Sequence, residues 1–493
     1  MRDQVLIGTG IEAEPWVPQG RVVWRSQWVE MPRAAAQGEL VAEAVHRWVV
    51  TAGRSARNDL DRRDTPGDAD PHHRDVGKGI TPMTISFLLT PEQEQLKAAA
   101  RGFAQDRLRD LAAVTRAEPD PKTRALLLRP AFENAVAAGF LKGLIPVPFG
   151  GAASSGVDAA IFIEEWAAES PDFVISMAGP LIALAPVYQV GTPEQVKRFV
   201  RPFLADSGAP LAAMAFSEPE GSANFDAEGP GQGIRTTAVP DGDEWVINGR
   251  KAWASHLCGW DGDGPDIMTI VCRTPSGISL IVAEREHLAG NIEVEEYYDL
   301  PGLKGCLITR VRLTDVRVPR GNLLGEEGQG VDLTRNAFFP SGASIGIFTV
   351  AAMRQAFGIA YRFALTEKRG GPVPIIEYQA VSDVLADAKG KIEAVRLLAW
   401  RALDAVMSMH PSGPELALHA KIFGSETGVE VINELIKIIG VTAYDEKFPI
   451  IRHLMDTLSY PIIEGSNVGV RRRQLQALFR TPGYDPLSAS GMA

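Results

Sequence analysis

The sequence predicts an α+β protein that is mostly helical, with a strand-rich middle between two helical parts. Three observations carry that reading. Apolar residues recur at helical spacing from about residue 83 to 209, short β-branched runs bounded by Gly, Pro and Asp fill 210 to 325, and long helical periods return from 326 to 480. Helices, strands and helices come in blocks and do not alternate, so the strands form one middle domain and not βαβ units.

Composition narrows the class. A chain of 493 residues is ample for a large core. Its formal net charge of -11 disfavours nucleic acid or an anionic membrane as partner, since both select basic surfaces. Cys258, Cys272 and Cys306 are widely spaced without a CxxC, which suggests neither a disulfide framework nor zinc. The histidines are scattered apart from His72 and His73, so no metal is expected. A reducing cytoplasm is the expected compartment. No apolar run approaches the ~20 residues of a membrane span, and the first thirty residues lack a signal peptide's apolar core.

Residues 1–82 differ from the rest. Trp16, Trp24, Trp28 and Trp48 fall without a period, and the stretch from Arg54 is charged, punctuated by Pro and Gly and nearly free of large apolar residues. Such composition cannot bury enough surface to offset ordering entropy. The segment reads as disordered or as a non-native extension, with Met83 a candidate start. The Gly8-Thr9-Gly10 triplet lacks the rest of a dinucleotide loop.

In "LLTPEQEQLKAAARGFAQDRL", Thr90 is placed to cap a helix that opens at Pro91, with Gln93 completing a capping box. "PVPFGG" and "SPD" break later helical patterns. "EWVINGRKAWAS", "DIMTIVCRT", "ISLIVAE" and "TRVRLTDVRV" read as strands, and "SDVLADAKGKIEAVRLLAWRALDAVM" as a long helix. Residues 481–493 form a tail. Neither a Walker loop nor a GxSxG elbow occurs.

One carboxylate stands out. Glu464 lies between Pro461-Ile462-Ile463 and the turn Gly465-Ser466-Asn467, with Arg471, Arg472 and Arg473 close behind. Taken alone it reads first as a solvated turn residue, and alternatively as a base whose apolar neighbours strengthen it.

Single motifs are weak here, but their order is not. "SEPEGSAN", "EWVINGRKAWAS", "DVRVPRGNLLGEEGQG", "YQAVSDVLAD" and "IIEGSNVGVRRRQ", in that order, resemble the acyl-CoA dehydrogenase superfamily from Met83 to about Phe479. "CGWDGDGPD", "KRGG" and "NVGVRRRQ" look closest to its nitroalkane oxidase branch. The resemblance implies an N-terminal helical domain, a middle β domain and a C-terminal four-helix bundle, with FAD between them in a homotetramer. It implies that Ser217 bonds the flavin pyrimidine and that Trp253 and Ser255 lie on the strand packed against its ring. It also implies that Arg369, Gln379 and the loop near Gly440 reach a neighbouring subunit's FAD, and that Glu464 is the base.

Three positions divide the branches. Glu464 matches the glutamate of common acyl-CoA dehydrogenases, whereas nitroalkane oxidases carry Asp there. Phe338 and Ser341 replace the family's Asp-x-x-Arg that meets the pantetheine arm, and the nitroalkane branch shares the serine. Ser341 and Arg471 are both expected near the carboxylate. The preferred expectation is dehydrogenation of an acyl thioester, carried by CoA or an acyl carrier protein, with electrons passed to an electron-transfer flavoprotein. The alternative is oxidation of a small carbon acid by O₂. A flavin N-oxygenase needs no carboxylate base, and a non-catalytic interaction protein would not retain both flavin loops.

A chain beginning at Met83 should bind FAD and melt close to the full-length protein, measured by flavin absorbance and thermal unfolding. Loss of flavin on that truncation would contradict the reading of residues 1–82.

Overall fold

The computed structural model describes residues 88–153, 155–227 and 231–487, together with the backbone of strands β1 (Leu6–Gly8) and β2 (Trp28–Glu30). These two strands pair antiparallel. The expected disorder of the remainder of residues 1–82 lies outside the described residues, as do residues 488–493 of the tail.

The first helix, α1 (Pro91–Phe103), begins as its sequence dictates. The Gln93 amide donates to Thr90 Oγ1 at 3.2 Å, and the Thr90 amide donates to Gln93 Oε1 at 3.0 Å. There follow α2 (Arg109–Ala117), α3 (Pro121–Leu126), α4 (Arg129–Ala137), α5 (Gly156–Ala167), α6 (Pro171–Met177), α7 (Gly179–Ala183), α8 (Ala185–Val190) and α9 (Pro193–Val200). An aromatic cluster ties them together, with Phe103 stacked on Trp166 at 4.5 Å and Phe140 and Phe173 against the same indole.

The middle domain holds β3 (Ala212–Ala215), β4 (Thr237–Asp241), β5 (Glu244–Ser255), β6 (Ile267–Thr274), β7 (Gly277–Glu284), a short helix α10 (Arg285–Leu288), β8 (Ile292–Tyr297) and β9 (Ile308–Pro319). Their order is β3-β6-β4-β5-β9-β8, with β7 paired to β6. β3 and β4 run parallel to β6, and the other pairs are antiparallel. Alternation along β6 sends Ile267 and Val271 into the core shared with the helices, and Met268, Ile270 and Cys272 into the sheet's other face. All three cysteines are free and buried.

The C-terminal part contains α11 (Gly330–Thr366), α12 (Gln379–Met407), α13 (Gly413–Ile439), α14 (Ile450–Ser459) and α15 (Arg472–Phe479). The first four pack as a bundle. α11 and α13 cross closely because both carry glycine at the crossing: a Cβ on Gly424 would lie 3.1 Å from Gly346 Cα. α11 corrects one sequence expectation, being long and apolar enough to cross a membrane. Most of it is buried between its neighbours, so its apolarity serves the bundle core.

The three parts meet at two buried carboxylates. Asp456 on α14 accepts from the Leu303 amide at 2.8 Å and from Arg116 of α2 at 2.7 Å. Asp172 on α6 accepts from the Gly305 amide at 2.6 Å. Burial, and then the neighbouring Asp456, push Asp172 up to about 6, against the pull of the Gly305 amide and Arg116.

A carboxylic acid whose folded pKa is raised stabilises the fold below its unfolded pKa and loses that contribution as pH rises through the folded value. Asp172→Asn keeps an acceptor for the Gly305 amide and removes the titration. The wild type should therefore lose melting temperature between about pH 4 and 6 relative to this variant, and an unchanged pH dependence in the variant would contradict the assignment.

Candidate active site

The Glu464 turn follows directly from the end of α14. The amides of Ile462 and Ile463 both donate to Ser459 O at 2.9 Å, and the Asn467 amide donates to Pro461 O at 2.9 Å. Between them Glu464 and Gly465 are left-handed, with φ of 51° and 73°. Glycine is required at 465, since a Cβ there would lie 2.7 Å from the Arg471 guanidinium.

That guanidinium holds the turn. Arg471, in the π-turn Asn467–Arg471 that leads into α15, is only 1% exposed. Its Nε donates to the Glu464 backbone carbonyl at 2.9 Å, Nη2 donates to the same oxygen, and Nη1 donates to Gln474 Oε1 at 2.7 Å. The cation also sits 4.9 Å from the centroid of the Phe338 ring. Burial pulls Arg471 down to about 10, with Glu464 opposing the shift. Arg471 thus grips the main chain of Glu464 and not its carboxylate. Glu464 Oε2 is buried and has no hydrogen-bond partner among the described residues. A buried carboxylate oxygen without a donor is costly, and such atoms mark places where a reactant proton can be taken.

The hydroxyl of Ser341, a residue expected near the carboxylate, lies on α11. It donates to Phe338 O at 3.2 Å, next to Pro340, which interrupts the hydrogen-bond ladder of α11. α11 reaches the turn through Phe338, whose ring faces Arg471 and meets Phe216 at 5.2 Å, while Phe216 meets Phe225 at 5.0 Å. All three rings are buried in the core.

Ser217 and Ser255, both half-buried, lie on neighbouring segments of the middle domain. The Ala252 amide donates to Ser217 O at 2.9 Å, joining the loop after β3 to β5. Trp253 sits at the register shift between Ala252 and Ala254, with φ of 62°. A bulky residue at positive φ in a bulge is a strained, deliberately aimed side chain. Its indole stacks on Tyr298 at 3.9 Å, yet 54% of the residue stays exposed. An open aromatic plane flanked by two hydroxyl groups fits the face and polar edge of an isoalloxazine ring.

The joint beneath this wall is a buried ion pair that the sequence reading missed. Lys251 Nζ donates to Glu218 Oε1 at 2.9 Å and to Val271 O at 2.7 Å. Glu218 also accepts from the Arg235 amide at 2.7 Å and from Thr236 Oγ1 at 2.7 Å. Burial works to raise Glu218, but Lys251, Thr236 and the two amides outweigh it and hold the carboxyl below its usual range. Both residues stand inside the quoted motifs, "SEPEG" and "GRKAW", and only the fold reveals that they touch.

Arg369, Gln379 and Gly440 gather at the ends of the bundle helices. Arg369, itself at φ 49°, donates to Ile439 O and to Thr442 Oγ1 at 2.9 Å, on either side of Gly440. Gln379 is exposed at the first position of α12. The structure thus joins Arg369 to the Gly440 loop, a set apart from the middle-domain wall.

Comparison with known proteins gives concordant matches. The acyl-CoA dehydrogenase N-terminal domain matches residues 90–207, and the acyl-CoA dehydrogenase C-terminal domain matches 328–477. A nitroalkane oxidase from Podospora anserina is 36% identical over 431 residues, covering 83% of this chain and 99% of the relative. One from Fusarium oxysporum is 34% identical, covering 82% and 97%. A probable acyl-CoA dehydrogenase from Mycobacterium leprae is 28% identical, covering 82% and 100%. The solved structure of the Podospora anserina enzyme superposes with a TM-score of 0.79 over 83% of this chain and 100% of that one.

Breaking the Lys251–Glu218 joint should uncouple the two segments of the flavin wall. Glu218→Ala leaves a buried ammonium unpaired, at a cost of about 3–5 kcal/mol, and should lower both melting temperature and the flavin-to-protein ratio. A variant with full flavin content and unchanged melting would contradict that role.

Proposed function

The chain belongs to the acyl-CoA dehydrogenase superfamily of FAD-dependent oxidoreductases, and from that membership we propose that it oxidises a small carbon acid of the nitroalkane class. Glu464 removes the proton from the carbon next to the electron-withdrawing group. The observation that carries this reading is the buried, unpartnered Oε2 of Glu464, held out by a turn whose cation is committed to the backbone. When bound, FAD supplies the acceptor for the substrate's electrons. The residues that would hold its ring are Ser217, Trp253 and Ser255.

The buried aromatic residues beside the turn support this substrate class. Phe338, Phe216 and Phe225 present ring carbon on the α11 side of the turn, where the resemblance implies charged contacts to a pantetheine arm. Such a wall suits a short apolar chain with a small polar head. A relative's structures offer support: mutants at an active-site aspartate and an active-site serine are crystallised with 1-nitrooctane and 1-nitrohexane. An aspartate and an arginine studied in that enzyme lie seven positions apart, the spacing of Glu464 and Arg471.

A second reading, dehydrogenation of an acyl thioester, is favoured by one residue. Glutamate at 464 reaches one methylene farther than aspartate and is the choice of common acyl-CoA dehydrogenases. Assembly into a homotetramer is part of either reading. Tyr361, Leu365, Val441 and Tyr444 are exposed on the elements joined by Arg369, an apolar surface apt for a second copy.

Anaerobic mixing with nitroethane, butyryl-CoA and butyryl-acyl carrier protein separates the classes. Nitroethane should bleach the flavin, and bleaching by a thioester alone would move the assignment to the second reading. Glu464→Gln should retain FAD while flavin reduction slows by roughly 10²- to 10⁴-fold, the usual contribution of a positioned base. Reduction at the wild-type rate in that variant would return Glu464 to an ordinary turn residue.

A further inference from the structure

Beneath the base turn lies a buried lysine that the proposed chemistry leaves unused. Lys421, on α13, is completely buried. Its Nζ donates to Tyr460 O and, at 2.9 Å, to Asn467 Oδ1. Tyr460 immediately precedes Pro461, and Asn467 immediately follows Ser466. One ammonium therefore bonds the chain at both ends of the loop that carries Glu464. The Asn467 side-chain amide continues the network, donating to Ser425 Oγ at 3.0 Å and to Glu426 Oε1 at 3.1 Å, both on α13.

This is an expensive way to fix a loop. A fully buried lysine is rare unless a carboxylate pairs with it, and the two oxygens that Lys421 bonds are both neutral. We propose that Lys421 is a positioning residue for the base: by clamping both ends of the loop, it fixes how far the Glu464 carboxylate reaches toward the substrate carbon. The inference rests on reading Glu464 as the base.

The charged groups around Lys421 give the clamp a signature. Arg471 faces it from the π-turn, Glu464 from the loop and Glu426 from its own helix. Burial, and then Arg471, push Lys421 down to about 7, while Glu464 and Glu426 pull the other way. A neutral lysine keeps two N–H bonds for its two acceptors, so deprotonation preserves the clamp. What changes is the field, because a positive charge beside the Glu464 anion disappears and the carboxylate becomes more ready to take a proton. The rate of flavin reduction should then rise as pH climbs through about 7.

The test measures anaerobic flavin reduction against pH in the wild type, Lys421→Met and Lys421→Arg, using whichever of nitroethane or butyryl-CoA bleaches the wild-type flavin. Lys421→Met should keep its FAD, lose roughly tenfold to a hundredfold in kcat with little change in KM, and show no limb near pH 7. Lys421→Arg keeps charge and donors, so it should recover part of the rate without restoring that limb. A Lys421→Met protein with wild-type rate, or with a slower rate and the limb intact, would overturn the proposal. If Lys421→Met fails to fold, Asn467→Ala loosens the other end of the clamp: a slower rate with the limb retained supports the proposal, and an unchanged rate overturns it. Glu464→Gln run alongside separates the two ideas. Wild-type reduction there removes the base itself, whereas a silent Glu464→Gln with a fully active Lys421→Met removes only the clamp.

Discussion

One buried guanidinium holds the Glu464 turn in shape. Left-handed backbone at a glutamate costs roughly 1–2 kcal/mol, and a glycine behind it adds no stability of its own. Arg471 offsets that strain with paired donation to the Glu464 carbonyl, where a hydrogen bond from a charged donor contributes about 1.5–3 kcal/mol. The choice of acceptor matters more than the energy. Had Arg471 met the carboxylate, the ion pair would have weakened the base. Instead the cation is satisfied by a carbonyl, by Gln474 and by the Phe338 face, and Glu464 Oε2 is left without a donor.

The turn is also tied to the middle domain. α14 leads straight into it, and Asp456 on α14 accepts the Leu303 amide of the middle domain, so the helix that leads to Glu464 is pinned to the domain that carries Trp253. Within that sheet, the Lys251–Glu218 pair and the Ala252-to-Ser217 bond make one rigid unit of the β3 loop and β5. Few of these bonds are local in sequence. The side-chain links among them, at Asp456 and at Lys251–Glu218, are each open to a single substitution.

Much of this was legible from the chain, for identifiable reasons. The α1 cap could be read directly because Thr90, Pro91 and Gln93 act within one turn, and β5, β6, β7 and β9 showed in their β-branched runs. β3 could not, since Ala212-Ala213-Met214-Ala215 is a strand only through its pairing with β6. β8 was hidden by its charges, Glu293, Glu295 and Glu296, which ion-pair with Arg250, Arg310 and Arg312 of neighbouring strands. At the site, Glu464 and Arg471 stood out by spacing. Their actual bond, cation to main chain, depends on a left-handed turn that no spacing reveals, and the same holds for Lys421, which approaches the turn from a helix some forty residues earlier.

The central claim is that Glu464 does one thing, which is to remove a proton. Ethyl nitronate, the preformed anion of nitroethane, has already lost that proton. Anaerobic flavin reduction in Glu464→Gln with this anion should therefore approach the wild-type rate while neutral nitroethane leaves the same variant nearly silent. Equal impairment with the anion and the neutral form would contradict the account.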